Sequence, residues 1–311
     1  MIDNIETARE TLRKKIAMWT ANGELSATAI PALSFIRHNH IYEPVCGLHE
    51  PSVCLVTQGA KRVVLGGETY EYDTQHFLFT SINLPTIAQI VSASPDRPYL
   101  ALKLTLDLAE ISQMLLDSNL PAPTVQKPIR GMVTGEVTLP LLEAFQRLVG
   151  LLDEPRDIPM LAPIIQREIY YRLLTGDQGA HLRQVASTGS NGEQIAKVID
   201  WLKSNFKQSL RVDDLASRAH MSSSAFHHHF RSMTALSPLQ YQKNLRLNEA
   251  RRLMMMENLD AAAAAFEVGY ENPSQFNREY KRTFGIPPKR DITIIRQTLS
   301  GCFASGTTQE I

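Results

Sequence analysis

The chain has 311 residues, of which 43% are hydrophobic and 21% are charged. This length supports two domains with separate cores, and the composition excludes a disordered or collagen-like chain. No apolar run approaches the roughly 18 residues of a membrane helix, and residues 1–15 lack an apolar secretion segment. We therefore expect a cytoplasmic protein without a membrane span.

The formal net charge of zero conceals an uneven distribution. Residues 193–296 contain 16 Lys and Arg against 11 Asp and Glu, whereas residues 1–192 contain 16 against 20. Such a modest excess of positive charge indicates a nucleic-acid partner only where a binding motif accompanies it.

Three cysteines, Cys46, Cys54 and Cys302, are too few for a disulfide framework and lack the spacing of metal ligands. We expect no bound metal and no cofactor at them. Two interpretations of Cys46 and Cys54 stay open: each is a small buried hydrophobe, or one of them senses oxidants or electrophiles.

Residues 3–22 have the apolar periodicity of an amphipathic helix. From 32 to 105 the pattern changes to short runs rich in Val, Tyr, Phe and Thr, separated by turn residues, which predicts a compact antiparallel barrel or sandwich. Gly66-Gly67 is predicted to be a hairpin turn. The predicted strands lie within SVCLVTQG (52–59), KRVVLGG (61–67), ETYEYDT (68–74), HFLFTS (76–81), TIAQIVSA (86–93) and YLALKLTL (99–106).

Helical periodicity returns near residue 107 and predicts three helices, which either cover the barrel or form a dimer face. Residues 176–192, rich in Gly, Ser and Thr, are predicted to be an interdomain linker. Residues 193–290 are predicted to be helical throughout, and residues 297–311 to form a flexible tail.

The most informative feature of the chain is a repeat within residues 210–290. A shift of fifty positions places residues 222–231 over 272–281, and a shift of forty-nine places His220 over Gly269. Each copy predicts a short helix, a tight turn and a second helix that begins at a capping residue. This is the pattern of a helix-turn-helix module, so we expect two such modules in contact with double-stranded DNA.

In the first copy, His220 occupies a turn position that favours left-handed backbone, and Ser222 caps the second helix. Phe226, Phe230 and Met233 share the inner face of that helix. The opposite face, predicted to contact bases or phosphates, carries Ser223, Ser224, His227, His228 and Arg231.

In the second copy, Asp260 caps the first helix, Gly269 forms the turn, and Asn272-Pro273-Ser274-Gln275 is a complete helix start. Arg278 and Lys281 suit guanine or phosphate, and Asn277 suits adenine. The residues predicted to face DNA are Ser274, Asn277, Arg278 and Lys281. Because the two outer faces differ, we expect an asymmetric DNA site for each monomer.

A second capped start at Ser237-Pro238 begins a helix of roughly 19 residues, which spans about 28 Å and joins the modules. That length suits two modules placed near one helical repeat of DNA apart, about 34 Å. The triplet His227-His228-His229 does not predict a metal site, because consecutive helical residues diverge by about 100°.

Residues 193–296 resemble the DNA-binding domain of the AraC/XylS transcriptional regulators. The similarity rests on LRLNEARRLM (245–254) and on VGYENPSQFNREYKRTFGIPPKR (268–290). Residues 50–73 and 92–107 resemble the AraC-type N-terminal domain of one subfamily. One departure is Arg211, at the cap of the first supporting helix, where Ser or Thr would be usual.

The resemblance implies an α+β protein of two domains. A cupin-like antiparallel β-barrel with flanking helices, residues 1–175, would sense a small-molecule effector or signal and could form a homodimer. After the linker, an all-α domain of two helix-turn-helix modules joined by a linker helix, residues 193–296, would bind DNA. We expect RNA polymerase to be a partner and the protein to have no enzymatic activity. Two alternatives stay open, an activator that raises transcription and a repressor that lowers it.

One alternative function is a metal-dependent cupin enzyme with an accessory helical domain. Its metal ligands would be His38, His40, Glu43 and His76, since His38 and His40 have the required spacing. We expect His38-Asn39-His40 to lie in a connecting segment before the strands, which disfavours this site. No nucleophile elbow, phosphate loop or paired carboxylate motif occurs.

Overall fold

The structure, a computed structural model, describes residues 2–21, 25–118, 130–187 and 189–304. Ten strands form two antiparallel sheets, with the orders β1-β2-β9-β4-β7-β10 and β3-β8-β5-β6. The strands are β1 Leu25–Ala27, β2 Leu33–His38, β3 Val45–His49, β4 Ser52–Gln58, β5 Ala60–Leu65, β6 Glu68–Tyr72, β7 His76–Thr80, β8 Leu84–Ser92, β9 Tyr99–Thr105 and β10 Met132–Glu136.

The described residues also form twelve α-helices and two short 3₁₀ helices, Leu151–Asp153 and Pro155–Asp157, which precede α4. The α-helices are α1 Ile2–Trp19, α2 Leu108–Asp117, α3 Leu139–Gly150, α4 Ile158–Thr175, α5 Gly179–Ala186, α6 Asn191–Asn205, α7 Val212–Arg218, α8 Ser223–Thr234, α9 Pro238–Met256, α10 Ala261–Glu267, α11 Pro273–Phe284 and α12 Pro288–Ala304. No helix in this part of the chain is both long and apolar enough to cross a membrane.

The predicted cupin-like antiparallel fold is confirmed, but it is not a closed barrel. No strand pairing between described residues joins the six-stranded sheet to the four-stranded one. The Gly66-Gly67 hairpin has positive φ at both residues, +57° and +92°, as a two-residue hairpin turn requires. The six strands predicted from the sequence correspond to β4 through β9.

Three sequence predictions need correction. His38 does not lie in a connecting segment, because it ends β2 and pairs with Tyr99 on β9. The predicted linker 176–192 contains α5, whose Leu182 and Val185 are buried. The predicted tail 297–311 begins inside α12, which continues to Ala304, and residues 305–311 lie outside the described part.

Successive side chains along each strand of the six-stranded sheet point to opposite faces, so this sheet divides the core of the N-terminal half into two layers. Its outer face, which includes Leu55 and Leu102, packs against helices α1, α3 and α4. Its inner face, which includes Val56 and Ala101, faces the four-stranded sheet. The helices predicted after residue 107 therefore cover one sheet.

The inner core does not end at the sheets. It continues as one cluster of buried side chains into the first helix-turn-helix module, where it includes Phe226, Phe230 and Tyr241. The second module has a core of its own, built around Leu247, Phe276 and other buried residues. The two modules are therefore attached to the sheets in different ways.

Asn83, between β7 and β8, connects the sheets to the helical half. Its backbone carbonyl accepts a 2.7 Å hydrogen bond from the buried hydroxyl of Tyr241 on α9. Its side-chain oxygen accepts from Lys203 at 2.9 Å, and its amide donates to Asp200 at 3.3 Å. One loop residue thus binds both α6 and α9.

Replacement of Tyr241 by Phe should lower the free energy of unfolding by about 1–3 kcal/mol, because the buried carbonyl of Asn83 loses its hydroxyl donor. Chemical unfolding followed by circular dichroism measures the change. Tyr171→Phe is the control, since Tyr171 is 47% exposed, and should change stability by less than about 0.5 kcal/mol. Equal effects of the two variants would refute the assigned role of this hydrogen bond.

Candidate nucleic-acid interface

Both modules turn through left-handed backbone, as the sequence predicts. His220 has φ of +53° between α7 and α8, and Gly269 has φ of +88° between α10 and α11. A methyl group built on Gly269 would lie 2.4 Å from the carbonyl oxygen of Lys207. The second turn therefore needs glycine for space as well as for backbone conformation.

The second helix of each module begins and ends in an equivalent way. Ser222 accepts a hydrogen bond from the amide of Ala225, and Asn272 accepts from the amides of Ser274 and Gln275. Ala235 and Gly285 end these helices in left-handed conformation, with φ of +61° and +82°. The fifty-residue repeat is therefore a repeat of backbone structure.

The inner faces of these two helices hold the modules together. Phe226 and Phe230 are fully buried on α8, with ring centroids 5.4 Å apart. Phe276 and Tyr280 occupy the same places on α11, 5.5 Å apart. Burial of these rings orients each helix, so its opposite face must be solvent-exposed.

All nine residues predicted to face DNA are exposed to solvent: Ser223, Ser224, His227, His228, Arg231, Ser274, Asn277, Arg278 and Lys281. The three cations in this set, Arg231, Arg278 and Lys281, make no ion pair with any residue in the described ranges. Their charge is therefore available to an external anion.

Four other members of the set contact neighbours within the module. The hydroxyl of Ser224 lies 3.3 Å from that of Ser222. Ser223 donates a 2.6 Å hydrogen bond to Asp213 on α7, which orients its hydroxyl. The ring of His227 lies against Phe226, and that of His228 lies against His229. His229 is half-buried and contacts Asn191, so the histidine triplet points in different directions, as predicted.

Helix α9 has the 19 residues that the sequence predicts, and it begins with a reciprocal capping box between Ser237 and Gln240. Its Arg246 donates to the carbonyls of Phe206 and Lys207 and to that of Gly269 in the second turn. This single guanidinium thus ties the second module to the end of α6.

A buried ion pair fixes the second module to α9. Arg251 lies 2.8 Å from Asp291, which also accepts a 2.6 Å hydrogen bond from the hydroxyl of Tyr280. Arg251 additionally donates to the carbonyl of Cys46 on β3, and the Cys46 thiol contacts the carbonyl of Thr283. The second module therefore contacts the four-stranded sheet mainly through polar groups.

The sequence did not indicate one further contact, the Arg130 clamp, formed by Glu68, Arg130 and the last carbonyls of α8. Arg130 donates to the carbonyls of Arg231 and Ser232, at 3.0 and 2.7 Å, and forms a bidentate ion pair with Glu68. The amide of Gly131 donates to the carbonyl of Met233 at 2.9 Å. We call α8 and α11, the second helices of the two modules, the first and second recognition helices. Three successive carbonyls of the first recognition helix are therefore bound by the N-terminal half.

The residues of the alternative metal site are not brought together. His38 packs against the rings of Tyr42 and Tyr99, whereas His76 interacts with Asp73. No group of three or more His, Cys, Asp or Glu side chains in the described part of the chain is placed to hold a metal ion.

Burial raises the pKa of the Cys46 and Cys54 thiols above the usual value. Because the thiolate is the reactive form, this environment disfavours reaction with oxidants or electrophiles at both positions. The packing interpretation of these cysteines is thus the better supported of the two.

Two family models match the chain and correspond to its two halves. Residues 29–181 match the family described as AraC-type transcriptional regulator N-terminus, and residues 215–291 match a helix-turn-helix domain. The chain is an AraC/XylS-family transcriptional regulator. It is thus a DNA-binding protein with an AraC-type N-terminal domain, as the sequence motifs predict.

Relatives with the same organisation include the HTH-type transcriptional activator RhaS of Shigella dysenteriae, 22% identical over 85% of this chain and 89% of RhaS. RhaS of Escherichia coli is also 22% identical, over 85% of the chain and 89% of the relative. The fold is similar to that of ToxT from Vibrio cholerae O395, with a TM-score of 0.55 and 11% identity over 87% of this chain and 98% of ToxT.

Arg278→Ala in this regulator should weaken binding to its preferred DNA by about 1–3 kcal/mol and relax selectivity at one base pair. Lys281→Ala should lower affinity evenly across sequences and reduce the slope of log affinity against log salt by about 1. Sites selected by the wild-type protein from a randomised duplex library provide the DNA for quantitative gel shifts.

Lys14→Ala is the control for both variants. Lys14 lies on α1 with a 71% exposed side chain, and its replacement should change neither the base selectivity nor the slope of log affinity against log salt. An Arg278→Ala protein with wild-type affinity and base preference would remove Arg278 from the interface.

Proposed function

We propose that the regulator binds two successive major grooves with α8 and α11, held apart by α9. The observation that supports this most directly is the pair of equivalent helices with exposed polar faces and unpaired cations. Contacts to the phosphates of the DNA backbone would account for the salt-dependent part of the affinity, and contacts to base edges would account for the sequence selectivity.

The two helices would recognise different sequences. On α11, Arg278 suits the paired acceptors of guanine and Asn277 suits adenine, while Lys281 and Ser274 lie where phosphate contacts are expected. On α8, Arg231 would bind phosphate. The other contacts would be hydrogen bonds of shorter, uncharged side chains, those of Ser223, Ser224, His227 and His228. Each monomer should therefore prefer an asymmetric site.

We infer that the N-terminal half binds a small-molecule effector without turnover, and that the regulator activates transcription together with RNA polymerase in the cytoplasm. Two relatives support the parts of this inference that concern effector binding and transcriptional activation. RhaS is named as a transcriptional activator. ToxT from Vibrio cholerae has been solved with an unsaturated fatty acid bound, at 12% identity and a TM-score of 0.52 over 83% of this chain and 94% of ToxT.

The Arg130 clamp would carry the effect of the N-terminal half to DNA binding. It fixes the C-terminal end of α8, and Gly66 in the β5–β6 hairpin packs directly against Ala235 beyond that end. The clamp therefore sets the position of the first recognition helix relative to the sheets. A change in the sheets would alter the spacing between the two recognition helices.

A homodimer through α4 is also proposed. Met160, Ile164 and Tyr171 are 73%, 61% and 47% exposed and share one stripe of the helix at spacings of four and seven residues. Asp157 precedes the helix and Arg172 lies in its last turn. An antiparallel pairing of two copies would therefore bring opposite charges together around a shared apolar stripe.

Arg130→Ala should weaken binding to the selected two-groove site and increase tolerance of a one-base-pair insertion between its halves. The reason is that the last carbonyls of α8 lose their donors. Glu68→Gln, which removes the partner of Arg130, should have the same effect. Gel shifts on duplexes with altered spacing measure it, with Arg62→Ala as a control on the exposed Arg62–Glu71 pair. Wild-type spacing preference in both clamp variants would contradict the proposal.

Ile164→Glu should convert a dimer into a monomer in sedimentation velocity, because it places a charge in the apolar stripe of α4. Leu239→Glu, at a 55% exposed apolar side chain of α9, should leave the mass unchanged. If the wild-type protein is monomeric, or if Ile164→Glu keeps the dimer, α4 is not the dimer face.

A further inference from the structure

Asp213, in the first turn of α7, is hydrogen-bonded to the first residue of the first recognition helix. The hydroxyl of Ser223 donates to a carboxylate oxygen of Asp213 at 2.6 Å. Both residues are exposed to solvent, and Ser223 belongs to the face of α8 that is proposed to contact DNA. A base edge that reaches Ser223 therefore also lies within reach of Asp213.

This hydrogen bond fixes the polarity of both side chains. A carboxylate only accepts hydrogen bonds, so the single proton of the Ser223 hydroxyl points toward Asp213. The charge on the carboxylate strengthens the bond, which opposes rotation of the hydroxyl toward another partner. Only lone pairs of the Ser223 oxygen and of Asp213 are then left for DNA. Together these two side chains present acceptors and no donor.

The negative charge of Asp213 has no cation beside it. None of the ion pairs among the residues that the structure describes involves Asp213, and the adjacent Asp214 is also exposed. A DNA phosphate carries charge of the same sign and also accepts hydrogen bonds, so it is repelled here. This end of α8 is therefore unsuited to the DNA backbone and suited to a base that donates.

Only two bases offer a donor in the major groove, through the N4 amino group of cytosine and the N6 amino group of adenine. Guanine presents the acceptors N7 and O6, and thymine presents the acceptor O4. The adenine amino group lies beside N7, an acceptor that would face the carboxylate without a donor between them. Cytosine has no such acceptor on its own edge, so its edge complements the two side chains best.

We propose that Asp213 and Ser223 together select a cytosine in the half of the DNA site that α8 contacts. The amino group of that cytosine would donate to the carboxylate and to the serine oxygen. Any other base would leave acceptors that have lost their water without a full set of donors. The proposal rests on the proposed function, because it requires α8 to lie in a major groove, and it names one base that α8 recognises.

The second module has no equivalent pair of side chains. A shift of forty-nine positions places Asp213 over Ala262, and a shift of fifty places Ser223 over Pro273. The side chains of Ala262 and Pro273 neither donate nor accept hydrogen bonds. The acceptor pair therefore belongs to one half of the DNA site, and the half contacted by α11 is an internal reference.

Selection from a randomised duplex library by the full chain, followed by quantitative gel shifts with all four base pairs at each selected position, tests the proposal. The wild-type protein should prefer cytosine at one position by at least about tenfold over each other base. Asp213→Asn keeps the shape of the side chain, but its amide adds donors, so this preference should fall to within about threefold. Positions about one helical turn away, contacted by α11, should keep the wild-type preference.

Asp214→Asn is the matched control, because it removes the same charge from an exposed neighbour in the same turn of α7. Both variants should bind all sequences more tightly by a similar factor, since less negative charge opposes the phosphates. Asp213→Asn alone should lose the cytosine preference. The proposal is overturned if Asp213→Asn changes the preference at no position, or only where the wild-type protein prefers another base.

Ser223→Ala and Ser223→Thr give a second test, which does not depend on the folding of Asp213→Asn. Ser223→Ala removes an acceptor and should reduce the cytosine preference at least about threefold, whereas Ser223→Thr keeps the hydroxyl and should preserve it within about twofold. A hydrogen bond that only joins α7 to α8 predicts instead that Ser223→Ala weakens binding to all four base pairs equally. That result also overturns the proposal.

Failure of this proposal is distinguishable from failure of the proposed function. A wild-type protein that selects no DNA site refutes the proposed function. A wild-type protein that selects a two-groove site, with base preferences that neither Asp213→Asn nor Ser223→Ala alters, refutes only the recognition of cytosine by Asp213 and Ser223.

Discussion

The arrangement of the whole molecule depends on one apolar core that crosses from the sheets into the first helix-turn-helix module. Phe226, Phe230 and Tyr241 belong to the same buried cluster as Val56 and Ala101. To separate the first module from the sheets would expose these side chains to water, which costs free energy in proportion to the apolar area. The first recognition helix is therefore fixed to the N-terminal half by the hydrophobic effect.

The second module is attached differently. Its core is a separate cluster, which meets the inner core through the half-buried Phe206, and its links to the four-stranded sheet are mainly polar. Arg246 and Arg251 bind carbonyls of neighbouring segments, and Asp291 neutralises Arg251 in a buried ion pair. Such contacts depend on geometry more steeply than apolar burial does. We therefore expect the second module to be the more easily displaced of the two.

The elements predicted well from the sequence are those whose structure is determined within a few residues. Caps such as Ser222 and Asn272, and left-handed turns at His220 and Gly269, depend on local backbone chemistry, so the two modules and their outer faces were predictable. Helix α5 was missed because it lies in a segment rich in glycine and serine, and its Leu182 and Val185 are buried by tertiary contacts. Strand β2 was missed at His38 because its partner Tyr99 is distant in the chain.

The Arg130 clamp was also beyond sequence reasoning, since Arg130 and the carbonyls of α8 are separated by 101 and 102 residues. The regulatory role proposed for the Arg130 clamp is supported by the lack of free space at the β5–β6 hairpin. A methyl group built on Gly66 would lie only 2.1 Å from the β carbon of Ala235, so the hairpin cannot move toward α8 without displacing it. A ligand can shift β5, and with it the recognition helix α8, only if the ligand binds more tightly when β5 is in the shifted position than in the original one.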